Sequence, residues 1–365
     1  MKKKKICIVV STLGLGGAEK VAALQSKIFT DLGHTVSVLS ISKFDKKPFD
    51  FDGEIFVLEE IGFGELLPVR IVKRLSFLKK YLQENKIDLI VDNRSRKNFF
   101  RELLLVSFFY KVNTFYMIHS LAMIQDSNFV LPIVRSKFIF NKLYKKSSLL
   151  VCVSKGITSK IKILHNFDNL TTVYNSYDLG IDTVLLESQK YGNYILFYGR
   201  LDDESKDLNF LIEAYQKSIL PEKNIKLVLL GDGPHEKMYK SLVSKLNLEN
   251  LIIFHKRCAN PFSFVRAAKF TVLTSHYEGF PMSIVESLAC ETPVVTVDCE
   301  TGPSEIIKDR FNGLLVEKNL VSFTEALNSM CLDKKLLDYC KQNCLESIKH
   351  LSYDEIKKTW ADLLS

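Results

Sequence analysis

Residues 6–25 read ICIVVSTLGLGGAEKVAALQ. Five apolar residues lead into a polar, glycine-rich turn, and an Ala/Val/Leu pattern starting near Ala18 reads as a helix. A buried strand, a glycine turn and a helix form the opening unit of a doubly wound parallel sheet. The preceding MKKKK gives the start a superficial likeness to a secretion signal. However, the apolar run is only five residues long, polar Ser11 and Thr12 follow it, and no small-residue cleavage site appears. No run of about twenty apolar residues occurs anywhere, so a cytoplasmic chain without a membrane span is expected.

The same pattern recurs along the chain. Short apolar runs fall at 35–41, 87–91, 114–118, 149–153 and 170–174, and then at 194–199, 226–231, 251–254, 270–274, 293–297 and 313–316, each followed by a helical pattern. Continuous apolar strands alternating with helices imply parallel sheets covered on both faces. A chain of 365 residues is too long for one ordinary core, so two domains are expected. The polar stretch around SYDLGIDTVLLESQKYGN separates the two sets of strands. Composition is that of a globular protein, 47% apolar and 25% charged.

Charge is uneven. Of the net +8, residues 1–180 carry +12 and the remainder −4. A basic first half fits an anionic partner, although solvated lysines account for part of the excess. The eight cysteines include no C-x-x-C pair. Several lie in apolar runs, and Cys340 and Cys344 share a helix face, so reduced structural thiols are expected.

In open α/β sheets ligands bind beyond the carboxyl ends of the strands, so the loops there carry the chemistry. After the first strand, Gly14, Gly16 and Gly17 precede a helix N-terminus, where backbone amides suit a phosphate. The dinucleotide fingerprint fails, because Glu19 stands at its third glycine, and the P-loop pattern is absent too. After YILFYG, Arg200 and Lys206 precede a helix whose N-terminus disfavours cations; two cations there fit an anionic ligand such as a diphosphate. The Gly-Asp-Gly-Pro turn at 231–234 either approaches a nucleotide or simply turns the chain. In SHYEGFPMSIVESLAC (275–290), Glu278 lies in a turn and Pro281 is read as the first helical residue. Gly279 and Phe280 then present amides at the helix start. Glu286 falls about 12 Å further along if helix holds throughout. It sits among apolar and small neighbours, where an idle charge is costly. Two carboxylates so placed suit sugar and ribose hydroxyls.

These residues also carry a resemblance. GLGGAE (14–19), VSKG (153–156), VYNS (173–176), GRL with Lys206, LLGDGP (229–234), YEGFPMSIVESLA (277–289), TGPSEII and NGLLV occur in one order across nearly the whole chain. Together they resemble a retaining nucleotide-sugar glycosyltransferase of family 4. The resemblance implies the α/β GT-B fold, two doubly wound Rossmann-like domains facing a central cleft. The expected domains are 1–185 on the acceptor side and 186–351 for the donor, with a C-terminal helix at about 352–365 packing back on the first. It further implies that Arg200 and Lys206 hold the donor diphosphate. Glu278 meets the donor sugar and Glu286 the ribose, while Gly16 and Gly17 lie against the phosphate and His119 faces the sugar. Asn175 is carried over to the donor site, and Gly279, Phe280 and Pro281 belong to the donor loop. FHKRCANP departs from the family by lacking a glycine after its Phe, which leaves base recognition near Arg257 open.

The implied reaction moves a hexosyl or N-acetylhexosaminyl group, UDP-linked by expectation, to a hydroxyl of a glycan or lipid-linked saccharide. Surface polysaccharide or glycan assembly in bacteria is the implied setting. No metal or other cofactor is expected, and Asp50-Phe51-Asp52, formally a D-x-D, reads as turn chemistry before a strand. No residue stands out as a nucleophile for double displacement. Rival readings are a nucleotide-sugar epimerase of the same fold and a donor-binding scaffold without chemistry; a nucleic-acid partner is not expected. Finally, PVRIVKRLSFLKKYL (68–82) reads as a helix whose stripe of Val69, Val72, Leu75, Leu78 and Leu82 packs on its sheet. Its basic face, with Arg94, Arg96, Lys97, Arg101, Lys142, Lys145 and Lys146, is expected to touch an anionic membrane surface.

Overall fold

The computed structural model describes the chain apart from residues 1, 15, 44–48, 62, 65, 95–101, 103–110, 122–143, 145–148, 179–190 and 259–260, and the side chains of 67 and 68. It divides into two compact units, Met1–Ser176 with Tyr353–Ser365, and Tyr177–Ser352. The division falls at Ser176, earlier than the 185 expected, and most of the polar stretch between lies outside the described residues.

The first unit holds seven parallel strands: β1 (Lys5–Val10), β2 (Thr35–Ser40), β3 (Glu54–Val57), β4 (Leu89–Asp92), β5 (Asn113–Ile118), β6 (Leu149–Cys152) and β7 (Leu170–Thr172). Their order is β3-β2-β1-β4-β5-β6-β7. β1 lies in the sheet interior, between β2 and β4, because its residues Ile6 to Val10 are apolar on both faces, and all five are buried. The short EIFV of β3 was not among the apolar runs singled out, since its residues are only half-buried at the sheet edge. The helix Gly17–Asp31 buries Val21, Leu24, Ile28 and Phe29. Against it lies the last helix, Tyr353–Leu364, whose Trp360 meets Phe29 edge-on at 5.0 Å between ring centres. The Tyr353 hydroxyl donates to Asp31 at 2.9 Å, and Lys4 Nζ donates to the Leu364 carbonyl.

The second unit holds β8 (Tyr194–Tyr198), β9 (Lys226–Leu230), β10 (Ile252–His255), β11 (Thr271–Leu273), β12 (Val294–Val297) and β13 (Gly313–Val316). They are parallel in the order β10-β9-β8-β11-β12-β13. In each unit the winding reverses beside the first strand, so β1 lies next to β4 and β8 next to β11. At such a reversal the loops leaving two adjacent strands part to opposite faces and open a crevice.

Two expectations about the basic half need correction. In the helix Leu67–Glu84, Leu78, Tyr81 and Leu82 are buried, but Val69 and Val72 are exposed. The stripe packs only from its middle onward, where Arg74 also ties the helix to the Glu59 and Ile61 carbonyls at 2.7 and 3.2 Å. Arg94 is no surface cation. It is 1% exposed and clamped by Asp92 at 2.7 Å and Glu102 at 3.1 Å, because a buried guanidinium requires carboxylate partners. Arg96, Lys97, Arg101, Lys142, Lys145 and Lys146 lie outside the described residues. All eight cysteines are free thiols, five of them buried.

Candidate functional site

In the second unit the reversal between β8 and β11 gathers the expected donor residues. β8 ends at Tyr198; Gly199, Arg200 and Leu201 follow, then the single turn Asp203–Lys206. β11 ends at Leu273, and its loop is pinned to that turn. The Thr274 hydroxyl donates to the carbonyls of Lys206 and Asp207 at 2.9 and 3.1 Å, and the His276 amide donates to the Ser205 carbonyl at 2.9 Å. Lys206 is thereby brought to Glu278, donating to its Oε1 at 2.5 Å, while the Ser275 hydroxyl donates to the same oxygen at 2.7 Å. Arg200 stays largely exposed, its Nε 3.8 Å from Asp202.

The helix within SHYEGFPMSIVESLAC runs over Met282–Ala289, so Pro281 is its capping residue and not its first helical one. Among the described residues the Gly279 amide donates to nothing. Glu286 is buried on that helix, facing the end of β8, where the Tyr198 hydroxyl lies 3.5 Å from Oε2 and donates to the Ser283 carbonyl at 2.6 Å. Burial, and then the nearby Glu286 charge, push the Tyr198 phenol well above its usual range. Tyr198 therefore stays a neutral hydrogen-bond donor beside the carboxylate. Arg257, after β10, lies within electrostatic reach of Asp232 and Glu286. The sequence left that position open, for want of the family's glycine.

Close backbone packing holds these loops. A Cβ on Gly231 would lie 1.8 Å from the Gly199 carbonyl oxygen, and one on Gly233 2.1 Å from that of Leu201. The Gly-Asp-Gly-Pro turn is thus built to press the β9 loop onto the β8 loop. Gly302, at φ +97°, sits similarly against Pro281 and Gly279, and the Thr301 hydroxyl donates to the Glu278 carbonyl. TGPSE therefore buttresses the glutamate turn. Burial, then the Glu278 charge, push the Cys299 thiol behind it up to about 12, which leaves it protonated and inert.

In the first unit, three residues from different elements form a chain. Asn93 Nδ2 donates to Gln25 Oε1 at 2.7 Å, and Asn93 Oδ1 lies 2.9 Å from His119 Nε2. Gln25 stands on the helix that follows the glycine loop, Asn93 follows β4 and His119 follows β5. Sequence reasoning found only His119, since an Asn and a Gln give no signal until the fold joins them. Gly16 caps the helix and Gly17 begins it. The Glu19 carboxylate folds back over Gly16, 1.9 Å from where a Cβ would stand. Burial outweighs its own backbone hydrogen bond and raises the Glu19 pKa. Asn175 is buried and lines a small cavity with Gln25, Met117 and Trp360. Asp50-Phe51-Asp52 precedes β3, at the amino edge of the parallel sheet, whereas Gly16, Asn93 and His119 follow strands at its carboxyl edge. There Phe51 is buried and the Asp52 amide donates to Ser26 Oγ at 2.9 Å.

Comparison with known proteins agrees with this layout. The family model described as Glycosyltransferase Family 4 matches residues 15–180, and that described as Glycosyl transferases group 1 matches 185–346. The chain is 29% identical over 374 residues, 97% of each protein, to the N-acetylgalactosamine-N,N'-diacetylbacillosaminyl-diphospho-undecaprenol 4-alpha-N-acetylgalactosaminyltransferase of Campylobacter jejuni. Among solved structures, S. aureus TarM, in complex with fondaparinux, alpha-GlcNAc-glycerol and UDP, superposes with a TM-score of 0.79 at 15% identity, covering 99% of both chains. Anabaena HepE in complex with UDP gives 0.75 at 18%, again over 99% of both.

Proposed function

The chain belongs to the family 4 glycosyltransferases with the GT-B fold, and on that premise we propose that it moves an N-acetylhexosaminyl or hexosyl group from a UDP-linked donor, with retention, to a hydroxyl of a lipid-linked saccharide. The observation that carries this reading is the meeting of Lys206 with Glu278 at the β8/β11 reversal, with Glu286 buried behind it. One cation and two carboxylates at a sheet's carboxyl edge match a ligand with a diphosphate in its middle and hydroxyls on either side.

In this reading Lys206 and the largely exposed Arg200 take the diphosphate. Glu286 accepts hydrogen bonds from the ribose diol, while Tyr198 fixes its carboxylate. Glu278 accepts from donor-sugar hydroxyls, and the Gly279 amide points where charge gathers as the diphosphate leaves. No metal takes part, since the leaving group's charge is met by side chains and amides. The leaving phosphate oxygen accepts the acceptor's proton as the glycosidic bond forms on the same face. The lipid-linked acceptor draws on the Campylobacter relative, whose name specifies an undecaprenyl-diphosphate saccharide, and the UDP donor on the UDP in the TarM and HepE complexes.

The test incubates purified protein with radiolabelled UDP-GalNAc, UDP-GlcNAc or UDP-glucose and lipid-linked oligosaccharide extracted from bacterial membranes. Label in the lipid fraction with an alpha anomeric proton by NMR is the expected result. A beta product would overturn retention. Conversion of the donor sugar to its epimer without acceptor would mark an epimerase instead.

A further inference from the structure

We propose that Lys318, acting through Asp207 and His276, is a positioning residue that aims Lys206 at the donor diphosphate. This rests on Lys206 being a diphosphate ligand. Asp207 follows Lys206 directly and serves two elements at once. It closes the turn Asp203–Lys206 and caps the helix Leu208–Lys217, its Oδ1 accepting from the Phe210 amide at 3.3 Å. Its backbone is left-handed, at φ 49° and ψ 58°. Aspartate tolerates that conformation, but glycine adopts it without strain. A position that needed only the bend would be best filled by glycine, so an aspartate there fits a demand for its carboxylate.

That carboxylate is held from the far edge of the sheet. Lys318 stands just beyond β13, the edge strand, and its Nζ lies 2.8 Å from Asp207 Oδ2. The same ammonium lies 2.6 Å from His276 Nδ1, and His276 Nε2 lies 3.4 Å from Asp207 Oδ2. An ammonium can only donate, so Nδ1 accepts and the ring proton sits on Nε2, turned to the carboxylate. Side chains from three loops thereby close a ring of mutually consistent donors and acceptors. Lys318 and Asp207 are only 25% and 15% exposed, so solvent screens them less than an open surface pair. Lys318 Nζ also stands 6.0 Å from the centre of the Phe210 ring, on the helix that Asp207 caps. Lys206 sits inside this frame. The Thr274 hydroxyl holds the carbonyls of Lys206 and Asp207, and the His276 amide holds that of Ser205. With residues 205 to 207 fixed, the root of the Lys206 side chain has one direction, and only its flexible stem swings between Glu278 and a phosphate. Fixing the root lowers the entropy lost when that long side chain is placed on a ligand.

The experiment measures UDP and uridine binding by calorimetry in the full chain carrying Lys318→Met, Lys206→Ala or both. Methionine keeps an apolar stem beside Phe210 and removes the charge. Lys318→Met should weaken UDP binding about fivefold and leave binding of uridine, which lacks the diphosphate, unchanged. In the double variant UDP should bind as weakly as in Lys206→Ala alone, because a residue that works through Lys206 has nothing left to aim. A further loss in the double variant would overturn the proposal, since Lys318 would then meet the diphosphate itself. Equal losses for UDP and uridine would also overturn it, as a sign of general damage to the unit. Asp207→Gly keeps the left-handed bend and a serviceable helix cap, and should repeat the loss of UDP affinity. Wild-type UDP affinity in that variant would show that the bend alone matters and would sink the role of the carboxylate. Wild-type UDP binding by Lys318→Met, beside weakened binding by Lys206→Ala, would overturn the proposal and leave the donor-site reading standing. Full UDP binding by Lys206→Ala would bring down both.

Discussion

Lys206 Nζ donates to Glu278 Oε1 at 2.5 Å, joining two residues 72 positions apart at the ends of adjacent strands. A diphosphate that takes up Lys206 must part it from Glu278. Glu278→Gln should therefore leave nucleotide affinity unchanged or tighter while turnover falls at least about a hundredfold. Lys206→Ala should weaken nucleoside diphosphate binding roughly ten- to a hundredfold, as expected for a charged hydrogen bond. Calorimetry with UDP beside a turnover assay reads both. Equal loss of UDP binding in the two variants would sink the idea that they compete.

Glu286 is predicted to serve the ribose. Glu286→Gln should weaken UDP binding about tenfold, and the penalty should shrink for 2′,3′-dideoxy-UDP, which offers no diol. A penalty of the same size for both nucleotides would show that the carboxylate acts on packing, through Tyr198, and not on the sugar.

Gly231→Ala should destabilise the second unit by about 1–3 kcal/mol, the usual cost of overpacking, because its Cβ would collide with the Gly199 carbonyl. Gly17→Ala is the control, since nothing lies within 4 Å of a Cβ there. Thermal unfolding of the two variants should differ clearly.

Glu19 has a folded-state pKa raised by burial. An acid raised in this way contributes stability below its unfolded pKa and loses it as pH rises through the folded value. Glu19→Gln should thus raise the melting temperature at pH 7, with the gain vanishing toward pH 4. A gain of equal size at both pH values would contradict an ionisation penalty.

If side chains and amides alone meet the leaving diphosphate, EDTA should leave the transfer rate largely intact. Arg200→Ala should cost about tenfold without changing the melting temperature, because Arg200 is exposed. Complete loss with EDTA, restored by manganese, would show that a metal ion meets the leaving diphosphate instead.

The strands were legible because each is an apolar run bounded by turn residues, and the carboxyl-edge rule then pointed to Arg200, Lys206 and Glu278 without further help. What stayed hidden depended on contacts distant in sequence. Arg94 stands in a run of cations and reads as surface; only Asp92 and Glu102 folded around it make it core. The helical wheel of 67–84 gives the direction of its stripe but not where along its length the packing begins, so Val69 and Val72 were assigned to the core. Gly231 and Gly233 read as turn formers, whereas the constraint on them is the backbone of a loop some thirty residues earlier.

The indole of Trp360 closes the core of the first unit from a helix that follows the whole of the second. On the ribosome this reverses the apparent order of assembly. A nascent chain emerged through residue 352 already holds every part of the second unit, yet still lacks the piece that seals Phe29 from water. The unit encoded first is completed last, and a chain cut after residue 352 would leave it open.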